Sequence, residues 1–235
     1  MINPYTSKIS KANIKVTSNF NVLLCEYLLK KYKHKKNLCL VMGCGDGVLL
    51  KSVYKKFKKV IVFEYDKKIL KKNIKKLNNK KIYYVNDKFE NIDKYSFDYD
   101  VIFGNHVLEH VISPNRVLIK LKRKLKKDGK AIFTVPNSNS IHRYIGVEMG
   151  IIKTLKSFTE NDKLLLHQRV YNSTLFKRHI LKSKFKILKI GYYNFKISSQ
   201  KNMSKIDNKN LYELFKLSLK MNSKYSSNIY AVVTK

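Results

Sequence analysis

The chain of 235 residues is 44% hydrophobic and 28% charged, which fits a single domain with an ordinary core and argues against disorder. No apolar run reaches the roughly 18 residues of a membrane span, and residues 1–21 lack an apolar leader. The three cysteines form no CxxC pair. We therefore expect a cytoplasmic protein with reduced thiols. The net charge of +34 would suit a nucleic-acid-binding protein. However, only five of the fifty basic residues are arginines, and the lysines are spread along the chain. This pattern favours a lysine-rich surface without specific nucleic-acid recognition.

From about residue 37, short apolar runs alternate with lysine-rich amphipathic stretches. The runs have the length and continuity of strands buried on both faces of a parallel sheet. They are Leu38–Met42, Val60–Phe63, Ile82–Val85, Val101–Phe103 and Ala131–Val135. Apolar residues at helical spacing predict helices at Val48–Phe57, Lys67–Leu77 and Asn115–Leu125. Strands that alternate with helices predict an α/β, Rossmann-like, doubly wound sheet.

The flanking segments complete the predicted architecture. An amphipathic helix at Phe20–Tyr32 would cover the sheet or form a lid, and residues 137–170 are irregular and rich in His, Arg and Asn. After them come a helix at Tyr171–Ser183, an apolar segment at Phe185–Phe195, a helix at Leu211–Met221 and a strand at Ile229–Val233. The two late strands predict an antiparallel C-terminal edge. We therefore expect one domain with an N-terminal helical lid (1–36), a ligand-binding core (37–136), a cap inserted after strand 5 (137–170) and a C-terminal helix and strands (171–235).

A glycine-rich turn, VMGCGDG at residues 41–47, follows the first strand and precedes a helix. Glycines allow a sharp turn and a close approach of the backbone to a ligand. The dinucleotide fingerprint GxGxxG would need a third glycine where this chain has Val48. The spacing therefore disfavours NAD and FAD.

Polar residues follow the next strands at the same edge of the predicted sheet. Glu64 ends the second strand, Asp87 and Phe89 follow the third, and residues 104–110 follow the fourth. An acid at the position of Glu64 suits ribose hydroxyls, whereas Asp87 with Phe89 offers an acceptor and a flat face for a purine. Because open α/β sheets bind ligands at the carboxyl ends of their strands, we expect one site there.

Over residues 37–137 this arrangement resembles the class I S-adenosylmethionine (SAM)-dependent methyltransferases. The glycine turn matches that family's first motif, residues 97–111 match its signature FDxVxxxxVLEHV, and residues 126–137 match its LKPGG…PN stretch, with Asp128 in place of the usual proline. The resemblance implies SAM as the cofactor, with the glycine loop at the methionine moiety, Glu64 at the ribose and Asp87 with Phe89 at the adenine. The predicted cofactor residues are Gly43, Cys44, Gly45, Gly47, Glu64, Tyr65, Asp87, Lys88, Phe89 and Asn105.

The cap carries two His–Arg pairs in an irregular stretch. Its pattern PN..S.HR…G..MG…H.RVY resembles, more loosely, small-molecule methyltransferases of sugar, surface-polysaccharide and secondary-metabolite pathways. Arginine with histidine suits a phosphate or a carboxylate. The predicted substrate-binding residues are His142, Arg143, His167, Arg169 and Tyr171. The alternative is that these side chains cap helices or hold the loop in shape.

His110 and His106 are the candidate catalytic residues, since a hydroxyl acceptor benefits from a base that titrates near neutrality. Their structural alternative is local packing beside Glu109 at the start of a helix. His106, Glu109 and His110, joined by His142 or His167, also have the ligand types of a divalent metal site, as in relatives with an ExxEH motif. Here His106 replaces the first acid of that motif, so we do not expect a metal.

The function that we expect is O-methylation of a small anionic or sugar-like metabolite, in surface-polysaccharide or related biosynthesis. N-methylation of a small phosphorylated amine would give a similar sequence. The charge of +34 keeps RNA or rRNA methylation as an alternative, although no separate RNA-binding module and no NPPY motif is present. A non-enzymatic cofactor-binding partner protein is disfavoured by the basic cap. The acceptor and the oligomeric state stay open.

Overall fold

The computed structural model describes residues 8–196, 203 and 205–235, with side chains described from residue 18 onward. In these residues one sheet contains β1 (Leu38–Met42), β2 (Lys59–Phe63), β3 (Ile82–Val85), β4 (Tyr99–Asn105), β5 (Leu125–Pro136), β6 (Lys186–Tyr193) and β7 (Asn228–Thr234). Their order is β3-β2-β1-β4-β5-β7-β6. β7 runs antiparallel to both β5 and β6, whereas the pairs among β1–β5 are parallel. The predicted Rossmann-like sheet, mostly parallel with an antiparallel C-terminal part, is confirmed.

Helices cover both faces of this sheet. The described residues form α1 (Lys8–Lys31), α2 (Val48–Val53), α3 (Lys67–Lys76), α4 (Pro114–Lys124), α5 (Ile141–Glu148), α6 (Glu160–Leu164), α7 (Ser173–Lys182) and α8 (Asn208–Met221), with a 3-10 helix at Phe89–Lys94. Apolar residues of α1, α2, α3 and α8 belong to one core cluster, and those of α4 and α7 belong to a second cluster. Among the described helices, none combines the length and the apolarity required to cross a membrane.

The sequence of β1 explains why both faces need a helical layer. Leu40 and Met42 pack in one core cluster, and Cys39 and Val41 pack in the other. Successive side chains of a strand point to opposite faces, so a continuous apolar run is buried only when both faces are covered. Each such side chain contributes roughly 1.5–3 kcal/mol when buried. The apolar runs therefore specify a sheet between two layers of helices.

The site edge of the sheet is set by the parallel strands. Met42 at the end of β1 pairs with Phe63 at the end of β2, and Phe63 pairs with Val85 at the end of β3. On its other side, β1 pairs with β4, so the chain order reverses between β1 and β4. A crevice forms at such a reversal, outside the carboxyl ends of the strands. The loops after β1, β2 and β4 are thereby brought together.

The cap differs from its prediction, because the stretch expected to be irregular contains α5 and α6. α6 begins with a capping box in which Thr159 accepts from the backbone N–H of Asp162 and Asp162 accepts from the backbone N–H of Thr159. These helices have only 8 and 5 residues, so their apolar positions repeat too few times to give a helical pattern. The prediction of an irregular segment was wrong at these two helices.

Candidate functional site

A cavity of about 700 Å³ opens at the carboxyl ends of β1, β2 and β4 and reaches the cap (residues 137–170). Its walls come from α1, the glycine-rich loop after β1, the ends of β2 and β4, the cap and the start of β7. A second cavity of about 450 Å³ lies at the C-terminal ends of α4 and α7 and contains none of the predicted site residues. The larger cavity is therefore the candidate site, at the place where open α/β sheets bind ligands.

The glycine-rich loop has a backbone that only glycines adopt without strain. Gly43, Gly45 and Gly47 have φ angles of 74°, 48° and 83°, in the left-handed region. A Cβ on Gly47 would lie 2.2 Å from Oδ1 of Asn73. Asn73, on α3, donates from Nδ2 to the carbonyl of Gly45 at 2.9 Å. The loop is thus held by α3, through a residue that the sequence pattern did not reveal.

Glu64 places a nearly buried carboxylate in the cavity at the end of β2. Its Oε2 accepts from the backbone N–H of Cys44 at 3.1 Å, and its Oε1 accepts from the backbone N–H of Asp66 at 3.0 Å. Burial raises the pKa of Glu64 against the effect of these hydrogen bonds. The carboxylate keeps lone pairs available, as the predicted contact with ribose hydroxyls requires.

Most predicted cofactor residues lie in the wall of this cavity. Those in the wall are Gly43, Cys44, Gly45, Glu64, Tyr65, Phe89 and Asn105. Gly47, Asp87 and Lys88 belong to the same loops but lie outside the wall. The Asp87 carboxylate accepts from Asn91 Nδ2 at 2.6 Å and from the Tyr95 hydroxyl at 3.1 Å, and the Asn91 bond is the main cause of its lowered pKa. Asp87 therefore fixes the 3-10 helix that carries Phe89, and its contact with adenine stays a prediction.

Asn105, at the end of β4, joins the cofactor half of the cavity to α1. Its Nδ2 donates to Sγ of Cys25 at 3.3 Å, and its buried Oδ1 has no partner in the described part of the chain. Ser18 and Asn21 of α1 lie in the cavity wall beside it. α1 therefore borders the cavity, its role as a lid stays a prediction, and Asn105 Oδ1 is available to a donor on a ligand.

The segment after β4 places three ionisable residues at the cavity. His106 has a φ of 52°, and its Nδ1 lies 3.2 Å from Oε1 of Glu109. Glu109 is 1% exposed, and its Oε2 has no hydrogen-bond partner among the described residues. Burial opposes its ionisation, but the hydrogen bond from His106 and the charges of neighbouring histidines bring the pKa of Glu109 below its ordinary value. The pKa of His110 is lowered, mainly by burial.

Three of the candidate metal ligands named from the sequence lie close together, whereas His106 does not join them. Ligand atoms of Glu109, His110 and His167 all lie within 4.8 Å of one another. The His110 and His167 rings meet edge to face, with centroids 4.7 Å apart. His106, which the sequence had grouped with Glu109 and His110, is outside this set. Two histidines and one carboxylate suit a divalent metal, but the expectation from the sequence stays that the site uses none.

Asp162 is the centre of a polar network inside the cap. Its Oδ2 accepts from Nη1 of Arg143 at 3.1 Å, and its Oδ1 lies 2.8 Å from Nδ1 of His167. Burial opposes ionisation of Asp162, but hydrogen bonds from His167 and Thr159 bring its pKa well below the ordinary value. Arg143 also donates to the Leu155 carbonyl at 3.1 Å and to the Ser157 carbonyl. The guanidinium therefore holds together both ends of the segment between α5 and α6.

Arg169 and Tyr171 are bonded in a similar way to the segment after β4 and to α7. Arg169 donates from Nη1 to the Leu108 carbonyl at 2.7 Å and from Nη2 to the Ile112 carbonyl at 2.8 Å. The Tyr171 hydroxyl lies 2.8 Å from Nδ1 of His179, and Tyr171 is almost fully buried. Arg169 thereby joins the cap to the segment after β4, and Tyr171, directly after the cap, is bonded to α7.

These bonds change the interpretation of the predicted acceptor residues. His142, Arg143, His167, Arg169 and Tyr171 all line the cavity. The polar groups of the two arginines and the tyrosine are bonded within the protein, which favours the structural alternative for those three. His142 differs, because its buried Nδ1 has no partner in the described residues. The guanidinium groups of Arg143 and Arg169 are therefore already engaged within the protein.

Among the residues of the cavity wall that the sequence analysis did not identify, Lys196 and Asn194 lie at the far end from the glycine loop. Both residues follow β6 and line the cavity. They lie on the β6–β7 side of the sheet, whereas the glycine loop follows β1. Burial lowers the pKa of Lys196. Burial, with the charges of Lys196 and Arg143, lowers the pKa of His142 to about 3. No sequence pattern distinguishes Lys196 from the many other lysines of this chain, because only its neighbours in space set it apart.

Comparison with protein families matches residues 20–187 to the family described as "Methyltransferase domain". A search of curated proteins finds no match. The matched segment contains the glycine loop, Glu64, the segment after β4 and the cap. It therefore covers both halves of the cavity, except for Ser18 and the residues after β6.

Solved structures with a similar fold extend over nearly the whole chain. A SAM-dependent methyltransferase from Clostridium acetobutylicum is 13% identical, with 94% of this chain and 91% of that chain covered and a TM-score of 0.60. The plantazolicin methyltransferase BamL, in complex with a triazolic desmethylPZN analog and SAH, is 17% identical, with 98% and 91% covered and a TM-score of 0.62. A Haloferax volcanii methyltransferase in complex with the Trm112 activator is 9% identical, with 95% and 92% covered and a TM-score of 0.62. At these identities the likeness is one of fold.

Proposed function

The chain belongs to the methyltransferase domain family, and from this premise we propose that it transfers the methyl group of SAM to an oxygen atom of a small anionic or sugar-like metabolite. The observation that carries the proposal is the single cavity of about 700 Å³ that joins the glycine loop and Glu64 to the cap. A cofactor and a small acceptor can meet in such a cavity with the surrounding water excluded.

The cofactor half supports SAM through the chemistry of its walls. Backbone at Gly43 and Gly45 can approach the methionine moiety closely, because no Cβ stands in the way. The Glu64 carboxylate is the acceptor for the ribose hydroxyls, and Phe89 gives an apolar face for the adenine. Asn105 Oδ1, buried and without a partner in the described residues, is an acceptor for the ammonium group of the cofactor.

In this proposal His110 is the base and His106 the second candidate. The acceptor hydroxyl gives its proton to His110, the oxygen bonds to the methyl carbon, and the carbon–sulfur bond breaks with its electron pair on sulfur. Burial lowers the pKa of His110, so its ring is neutral near pH 7 and can accept that proton. Positioning supplies the rest, because the sulfonium is already activated.

The cap and the charge of the chain support different acceptors. The resemblance of the cap to sugar and surface-polysaccharide methyltransferases supports a role in such biosynthesis. A small phosphorylated amine would use the same cavity with nitrogen as the methylated atom. The net charge of +34 is the one observation that favours RNA as a substrate.

Incubation of the protein with methyl-labelled SAM and fractionated small-molecule cell extracts tests the proposal, with total RNA as a parallel substrate. We expect label in a polar anionic or sugar-like compound, in an O-methyl group identified by mass spectrometry. His110→Ala should lower the rate by about 10²–10⁴-fold, whereas His34→Ala, outside the cavity wall, should not. Label found only in RNA, or no binding of SAH by calorimetry, would contradict the proposal.

A further inference from the structure

The far end of the cavity contains polar groups that the protein itself does not satisfy. Oδ1 of Asn194 and Nδ1 of His142 are buried without a hydrogen-bond partner in the described residues. Asn194 is only 3% exposed. Buried polar groups in folded proteins are nearly always hydrogen-bonded, so such groups in a cavity wall indicate a ligand or water that bonds to them. Both side chains line the same cavity as Lys196.

Lys196 is the cation of this group. No carboxylate in the described residues lies within ion-pair distance of its Nζ. Asp162 is the acid whose charge acts on Lys196, but its two oxygens are already bonded to Arg143 and His167. A partly buried ammonium without a counter-ion is costly, and an anion that enters the cavity would remove that cost.

The backbone that carries these side chains is fixed from two sides. The Asn194 N–H donates to Oγ of Ser218 on α8 at 3.0 Å, and the Asn194 carbonyl accepts from the Ser227 N–H at 2.8 Å. The Lys196 N–H donates to Oγ of Ser227 at 3.1 Å. Asn194 has a φ of 66°, which asparagine tolerates better than most residues. The ammonium therefore projects from a held backbone, as a binding site requires.

The arginines do not compete for this role. Arg143 and Arg169 line the cavity, but their guanidinium groups donate to Asp162 and to carbonyls of the cap and of the segment after β4. His142 is uncharged at physiological pH, so it offers one N–H donor and one acceptor without repelling Lys196. Lys196 is thus the free positive charge at this end of the cavity within the described residues.

We propose that Lys196, His142 and Asn194 form the acceptor subsite, in which Lys196 and the His142 N–H bind an anionic oxygen group, carboxylate or phosphate, and Asn194 Oδ1 accepts a hydrogen bond from a neighbouring hydroxyl. This inference rests on the proposed function, since it names the groups that would recognise the methyl acceptor. It places the anion at the β6–β7 side of the sheet, with the cofactor at the β1–β2 side.

The test is the binding of inorganic phosphate and of acetate to the full-length protein with SAH present, measured by calorimetry in about 150 mM NaCl, where weak surface attraction is screened. We expect Lys196→Gln to weaken binding of one of these anions by about tenfold or more, as for loss of a charge-assisted hydrogen bond. Lys189→Gln is the matched control, because Lys189 is exposed on β6, the strand that precedes Lys196. It should leave binding unchanged.

A second variant keeps the test independent of the folding of Lys196→Gln. Asn194→Asp keeps the size of the side chain and introduces a carboxylate into the same part of the cavity wall as Lys196, so it should also weaken anion binding while SAH affinity is retained. Equal losses in Lys196→Gln and Lys189→Gln, or unchanged binding in both Lys196→Gln and Asn194→Asp, would overturn the inference. If the wild-type protein fails to bind SAH, the proposed function fails instead, and phosphate or acetate titration without SAH still decides the subsite.

Discussion

At the scale of single residues, Glu64 is buried, and the contact with the ribose that we predict for it needs its charge. Glu64→Gln should weaken SAH binding by about 1–3 kcal/mol, because it removes charged hydrogen bonds to the ribose. Burial raises the pKa of Glu64 above its ordinary value of 4.5. Hydroxyl donors favour the ionised form, so wild-type affinity should be constant at high pH and fall as the pH drops through that raised pKa. Calorimetry with SAH between pH 8 and pH 5 measures both effects, with the exposed Glu213→Gln as the control.

Asp162 bonds residues of the cap to one another, and its pKa is shifted downward, in the opposite direction to that of Glu64. Its pKa is lowered in the folded state from the ordinary value of 3.8, chiefly by hydrogen bonds that outweigh burial. It therefore contributes stability that is fully present above pH 3.8 and is lost as the pH falls from there toward the folded-state pKa. Asp162→Asn should destabilise the protein by about 3–5 kcal/mol at pH 7, as for a broken buried pair. Chemical denaturation at pH 7 and near pH 3 measures this, and an equal loss at both would refute the assignment.

Functional residues could be predicted where a local motif specifies them. They could not be predicted where their hydrogen-bond partners lie far away in the sequence. Gly43, Gly45 and Glu64 lie at the cavity because the order of strand, turn and helix fixes their place. Arg143 was identified as important, but its partners are carbonyls and a carboxylate of α6 that no short spacing reveals. Lys196 had no signal at all, because lysine is common throughout this chain.

At the scale of elements, the alternation of apolar runs predicted the core well. Each predicted strand from Leu38 to Val135 lies within a strand of the sheet, because strands buried on both faces leave a continuous apolar run. The short cap helices were missed, since α5 has only 8 residues and α6 has a single apolar residue, Leu164. The start of α6 is set by Thr159 in its capping box, and not by periodicity.

Helix α1, the predicted lid, should report on cofactor binding through Cys25. Burial raises the pKa of Cys25 to about 12, so its thiol should react with iodoacetamide only when α1 opens. SAH at about ten times its Kd should slow this labelling about tenfold if opening and binding exclude each other. Peptide mass spectrometry separates Cys25 from Cys39, which lies in β1 and serves as the control. Labelling of Cys25 that SAH leaves unchanged would show that α1 is not a lid.

At the scale of the whole molecule, the charge of +34 should act on polyanions in a non-specific way. Lysine carries a compact charge and lacks the planar guanidinium of arginine. It therefore attracts nucleic-acid phosphates without recognising the base sequence. Binding of this kind comes from released counterions, so the affinity should fall by orders of magnitude between about 50 and 200 mM salt. Fluorescence anisotropy with two unrelated single-stranded RNAs measures it, and we expect equal affinities and equal salt slopes. Lys196→Gln should change neither, because one charge within the cavity contributes little to a surface of many lysines. Saturable binding of one RNA over the other at physiological salt would contradict this and would make RNA the preferred acceptor.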